Sequence, residues 1–176
     1  VCRPTFDISD IDFYDVALAD FSGTAEIHVP RVMGKPLTQY SSLSSANAKG
    51  QIVHDFGVGD SKINIESKTV KVTTLDSLSL RPFFVKIDVE GSELSVLRGA
   101  KKTLSEFKPL ILIEIQNQEI FNSVANYLSE FDYKCISQDL MSNLKNTFFS
   151  KDFESRYNSK SNNFVWVSSP NASSWK

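Results

Sequence analysis

Residues 83–115 constrain the fold of this chain more than any other segment. Phe83-Phe84-Val85-Lys86-Ile87-Asp88 is a mostly apolar run that ends in charge. After Gly91, apolar residues recur at Leu94, Leu97, Ala100, Leu104 and Phe107, which is helical spacing. Pro109 stops that helix. Residues 110–115 (LILIEI) then form a continuous apolar run, as expected of a strand covered on both faces. Strand, helix and strand in this order predict a crossover unit with parallel strands. A second helical face follows over residues 118–131, carried by Ile120, Phe121, Val124, Leu128 and Phe131. Short strands are expected at 133–137 and 164–167. The pattern predicts an α/β fold with a mostly parallel sheet and helices on both faces.

Upstream the pattern is weaker. Residues 11–18 (IDFYDVAL) and 24–29 (TAEIHV) read as two strands around a turn at 20–23, which predicts a hairpin. Residues 30–60 are rich in Gly, Ser, Pro and Asn and read as a long excursion, with a short strand near Ile52-Val53. Residues 63–73 alternate in part and predict one or two strands. Residues 74–78 suggest a short helical turn with Asp76 as its N-cap.

A chain of 176 residues suffices for one domain with its own core, and 1–176 is read as a single domain. Its net charge of -2 gives no basic field to attract nucleic acid or an anionic membrane. The longest apolar run, 109–115, is far shorter than the ~20 residues of a membrane span. Cys2 and Cys135 show no CxxC spacing and read as reduced structural thiols of a cytoplasmic protein. The only histidines, His28 and His54, form no zinc-ligand pattern with them, so no zinc site is expected and no metal ligand is assigned. The adjacent pair Lys101-Lys102 reads as a solvated helix face. The first residues do not form a signal peptide and include no initiator methionine, so the chain is expected to begin inside a longer protein.

In parallel sheets, ligands collect beyond the carboxyl ends of the strands. That rule singles out Asp88, Glu90 and Glu114. Asp88, Glu90 and Glu93 surround one strand-to-helix junction. Glu93 reads as an exposed acid in a first helical turn, where the dipole favours it by ~0.3–1 kcal/mol. Asp88 ends a buried strand, and a carboxylate there needs a partner or a ligand. Lys86, two residues earlier on the same strand face, is placed to pair with a carboxylate. Residues 54–60 (HDFGVGD) look superficially like a nucleotide-gripping loop. Such a loop must lead into a helix N-terminus, whereas residues from Ile63 alternate like a strand. The same context excludes Asp55-Phe56-Gly57 as a kinase magnesium motif.

The stretch VKIDVEGSELSVLRGAKKTLSEFKPLILIEI resembles the FkbM family of methyltransferases. That family shows a Lys-Ile-Asp-Val-Glu-Gly-x-Glu segment, a Leu-x-Gly-Ala helix, and then Pro before an apolar strand ending in Glu. Leu97-Arg98-Gly99-Ala100 and Glu114 fit this pattern. Residues 16–20 with Gly23, Ser41-Ser42-Leu43 and Thr73-Thr74-Leu75-Asp76 resemble further family segments, so the likeness covers about 11–167. The resemblance implies a Rossmann-like class I methyltransferase sheet and S-adenosylmethionine as cofactor. It implies methyl transfer to a hydroxyl of a small-molecule or saccharide acceptor. It places Ala17 and Leu18 beside the adenine, through backbone contacts. It puts Asp88 near the transferred methyl and the acceptor, and Glu114 on the acceptor side. Asp88, Glu90, Glu114 and Lys86 are the candidate catalytic residues, with Asp88 favoured as base.

The family's domain opens with a strand and a glycine-rich loop that grip the cofactor, and nothing before Ile11 supplies them. The chain is therefore expected to be the C-terminal part of the domain, inactive alone, and marginally stable or self-associating. The competing reading is a non-catalytic binding module derived from a methyltransferase. A nicotinamide-dependent oxidoreductase has no fingerprint here.

Overall fold

Two mixed four-stranded sheets organise the chain in a computed structural model that describes residues 11–57, 59–136 and 162–168. The first contains β1 (Ala17–Leu18), β2 (Gly23–Val32), β3 (Lys35–Pro36) and β4 (Ile63–Thr73), in the order β1-β4-β2-β3. The expected hairpin between the first two strands does not form. β2 pairs antiparallel with β4 from Gly23↔Val72 to Val32↔Ile63, and β1 pairs parallel with β4 on its other side. β4 has 11 residues and gives β2 a ladder along its whole length, which the two-residue β1 does not.

A helix, α1 (Ser45–Phe56), lies where a loop and a short strand near Ile52-Val53 were expected. Its weak pattern explains the misreading. Among its described side chains only Ala48 and Ile52, four residues apart, are fully buried, and Gly50 costs the helix about 1 kcal/mol relative to Ala. Packing against β2 and β4 decides the conformation instead. Gly57 ends the helix in the left-handed region (φ +60°) and returns its N–H to the Val53 carbonyl at 3.0 Å.

The second sheet contains β5 (Phe84–Ile87), β6 (Leu110–Glu114), β7 (Tyr133–Ile136) and β8 (Asn163–Ser168), in the order β5-β6-β8-β7. β5 and β6 are parallel, from Phe84↔Leu110 to Ile87↔Ile113. β8 runs antiparallel to both β6 and β7. The expectation of a mostly parallel sheet is thereby corrected. Among the described strand pairs two are parallel and four antiparallel. A short apolar run such as Phe-Val-Trp-Val carries no direction in its sequence, and here it returns between two strands that run the other way.

Helices α2 (Glu93–Arg98) and α3 (Gln118–Ser129) touch each other and cover one face of this sheet. Val96 and Leu97 of α2, and Phe121, Val124 and Leu128 of α3, pack on Ile87, Ile111, Ile113, Phe164 and Trp166. The Phe121 ring lies 5.1 Å from Phe164 and 5.7 Å from Trp166. Each such fully buried side chain contributes roughly 1.5–3 kcal/mol. The opposite face retains exposed Phe84, Lys86 and Lys134, so among the described residues α2 and α3 cover one face and not both. No described helix is long and apolar enough to cross a membrane.

The single helix expected from Leu94 to Phe107 is divided. α2 ends at Arg98, and a wide π-type turn occupies Thr103–Phe107. Asp76 explains part of this shape. It does not cap its own turn; there Thr74 Oγ1 accepts the Ser77 N–H at 3.1 Å. The Asp76 carboxylate instead reaches across to accept the N–H groups of Lys102 (2.8 Å) and Thr103 (2.9 Å) and the Thr103 hydroxyl (2.7 Å). Gly99 lets the two sheets' connections meet. A Cβ there would lie 2.0 Å from the Ala19 carbonyl oxygen. Backbone cannot yield by that much, so Gly99→Ala is expected to cost about 3 kcal/mol or more. Urea unfolding checks this: a lowered midpoint is predicted, and an unchanged midpoint would refute the close approach.

Candidate functional site

The parallel register of β5 and β6 builds the site. With Ile87 beside Ile113, the next residues, Asp88 and Glu114, lie at the same end of the sheet. Lys86 projects on the face away from α2 and α3 and donates to Asp88 Oδ2 at 2.9 Å. Its Nζ also lies 3.9 Å from Glu114 Oε2. The Asp88 hydrogen bond, aided by the charges of Asp88 and Glu114, raises the Lys86 pKa above that of an ordinary lysine. All three side chains are partly exposed, where an ion pair adds little stability. The arrangement fixes orientation more than it holds the fold.

Glu90 enters the same end from the turn after β5. Its φ is +50°, a left-handed conformation that costs a non-glycine residue ~1–2 kcal/mol. Gly91 follows at φ +95°. The Glu90 carboxylate accepts the Gln116 side-chain amide at 3.0 Å, two residues beyond Glu114. The Glu90 carbonyl accepts the hydroxyl of buried Ser42 at 3.1 Å. The turn is thereby clamped between the end of β6 and the segment that enters α1.

Glu93 is not the exposed first-turn acid expected from its position. It is 1% exposed and lies in the core beside Val96 and Leu97 of α2. Its Oε1 accepts the Gly91 N–H at 2.8 Å, and its Oε2 is buried with no hydrogen-bond partner among the described residues. Burial pushes its carboxyl above the ordinary carboxylate range, and the charges of Glu90 and Asp88 push the same way. The dipole argument assumed a solvated side chain; the first turn of α2 instead faces inward beneath the β5 turn.

Ala17 and Leu18 form β1, an edge strand. Its ladder to β4 runs through the residues flanking Leu18, since the Ala19 N–H donates to the Thr73 carbonyl at 3.0 Å. Leu18 therefore turns its peptide N–H and C=O towards the open edge, while its side chain packs on the core. β1 joins the β5 end through α2. The Asp20 N–H donates to Ser95 Oγ at 3.1 Å, and that hydroxyl donates to Asp20 Oδ1 at 2.8 Å.

Other residues at the site carried little or no signal. Ser42 stood in a recognisable segment and Gln116 directly follows the apolar strand. Tyr40 carries no sequence signal, and Asp55 stands in the 54–60 run, where only the rejected loop and magnesium motifs show. Tyr40 Oη donates to Asp55 Oδ2 at 3.1 Å, and Asp55 Oδ1 lies 2.9 Å from His54 Nδ1. Burial and the Asp55 hydrogen bond raise the Tyr40 pKa, and Glu90 is close enough to add to it. Residues 54–56 lie in the last turn of α1, and a three-residue 3-10 turn (Asp60–Lys62), not an α-helix, leads from there into β4. Among the described residues, no three His, Cys, Asp or Glu side chains are grouped to hold a metal ion. Cys135 is buried, with its Sγ 3.8 Å from the Ile136 carbonyl oxygen, and Cys2 lies outside the described residues.

Glu93 gives a test of this geometry. Its folded pKa is raised, so the folded state binds the extra proton between the unfolded and folded values. Stability from this group is full below the unfolded value of about 4.3 and is lost as pH rises through the folded one. Glu93→Gln should flatten that decline in urea unfolding followed from about pH 4 to pH 9. Parallel stability curves for the two proteins would contradict a buried, proton-holding carboxyl.

The sequence profile of a family described as Methyltransferase FkbM domain matches residues 2–135. Neither the curated proteins nor the solved structures gave a match. The matched span contains every candidate site residue, and β8 lies beyond it.

Proposed function

The chain belongs to the FkbM methyltransferase family, and we propose that it serves transfer of a methyl group from S-adenosylmethionine to a hydroxyl of a sugar or natural-product acceptor. One observation carries the reading: Asp88 and Glu114 share one strand end and one partner, Lys86, while Glu90 reaches Gln116, two residues beyond Glu114. When bound, S-adenosylmethionine supplies an electrophilic methyl carbon on sulfur. The donor set on β1 suits its adenosine part. Leu18 offers a peptide N–H and C=O on an open edge, and Ala17 a small half-buried side chain.

Methyl transfer to oxygen is an in-line displacement, so positioning is the main task of the protein. Asp88 accepts the proton of the acceptor hydroxyl as the bond to carbon forms. Lys86 holds the Asp88 carboxylate from 2.9 Å and keeps Glu114 at the same end. Glu90 and Glu114 accept hydrogen bonds from the other hydroxyls of a polyhydroxylated acceptor. The partial exposure of Asp88 and Glu114 suits a polar ligand that arrives from water.

Asp88→Asn keeps the shape of the side chain and removes the base. In the full-length protein, assayed with S-adenosylmethionine labelled in its methyl group, turnover should fall at least about 100-fold. S-adenosylmethionine binding measured by calorimetry should change little. Turnover that survives the substitution would remove Asp88 from the role of base.

A further inference from the structure

We propose that Glu93 is a positioning residue for this site: its buried carboxyl fastens the Gly91 peptide and so keeps Glu90 in the left-handed conformation that sets its carboxylate on Gln116. Describing that turn as part of a site rests on the methyltransferase reading; the mechanical role of Glu93 does not.

Glu90 has no conformational reason of its own to sit at φ +50°. Such strain persists only where the surroundings over-determine it. Here three hydrogen bonds do so. Ser42 holds the Glu90 carbonyl, Gln116 holds the Glu90 carboxylate, and Glu93 holds the N–H of the residue between them in the chain. The first two act on Glu90 from β6 and from the entry to α1. Glu93 acts from α2, below the turn, and like Ser42 it is buried.

The unpartnered oxygen completes the argument. A buried carboxylate without a second partner is costly, whereas a carboxylic acid is far less so. Glu90 and Asp88 both raise the cost of a charge on Glu93, and Lys86 answers Asp88 instead. Held as the acid, Glu93 sits beneath two part-exposed carboxylates without repelling them. Loss of its proton would place a like charge under the turn and press Glu90 away from Gln116.

The test uses the full-length protein, labelled with nitrogen-15, and needs no methyl acceptor. Glu93→Gln retains an acceptor oxygen for Gly91 and carries no proton to lose. Gly91 amide exchange should stay within a few-fold of wild type. In wild type the Gln116 side-chain amide signals should move as pH rises through the Glu93 titration, and in Glu93→Gln they should not. Glu93→Leu removes the acceptor. Gly91 exchange should then accelerate about tenfold or more, and the Gln116 amide signals should move towards those of a free side chain. A folded Glu93→Leu protein with unchanged Gly91 and Gln116 signals overturns the proposal. Should Glu93→Leu not fold, Glu93→Gln decides: a pH-dependent Gln116 shift that persists in it overturns the proposal. Turnover of Asp88→Asn bears on the methyltransferase reading alone, so the two can fail separately.

Discussion

Strands that run in the same direction bring their carboxyl ends to one side, and the register of Ile87 with Ile113 does this for Asp88 and Glu114. The rest of the site depends on that pairing. α2 must cross from the end of β5 back to the start of β6, which puts its first turn beneath the acids and its apolar side on the sheet. Gly99 is where this crossing meets the first sheet, at the Ala19 carbonyl. Asp76 ties the connection after β4 to the far half of the same crossing through Lys102 and Thr103. Packing and polar anchoring thus converge on one β-α-β unit.

The residues that mark the family divide by what they touch. Gly99 and Asp76 serve the fold, since one admits a backbone contact and the other satisfies backbone donors. Asp88, Glu90 and Glu114 are part-exposed at the strand end, and their neighbours Lys86, Gln116 and Ser42 fix their directions. Glu93 belongs to neither group: it is as buried as the core, yet it acts on the turn that carries Glu90. A motif read as one block is in this way several separate physical requirements laid end to end.

The β5-α2-β6 unit and α3 were legible because each buries a continuous apolar set, Ile111 and Ile113 or Phe121, Val124 and Leu128, that shows the right period. α1 was not, because Ala48, Ile52 and a mid-helix glycine leave almost no period to see. The pairing of β1 and β2 was misread because their shared partner β4 lies far along the chain, from Val32↔Ile63 to Leu18↔Thr73, and a turn signal speaks only for neighbours. The antiparallel β8 was invisible for a related reason, as alternation and apolarity do not encode direction. At the candidate site, sequence order pointed to the end of β5 and β6, where Lys86 lies beside Asp88 and Glu114. The burial of Glu93 was hidden, because an acid in a first helical turn has two stable environments and only tertiary packing chooses between them.

The central claim is that the shared end of β5 and β6 faces the reacting groups, with β1 beside the adenosine. Nuclear magnetic resonance of the full-length protein titrated with S-adenosylhomocysteine tests it most directly. The account predicts that the amide signals of Leu18, Ala19 and Asp88 to Gly91 move on binding, while those of Gly57 and Gly59 stay. Binding that moves Gly57 and Gly59 and leaves the β5 end untouched would contradict it.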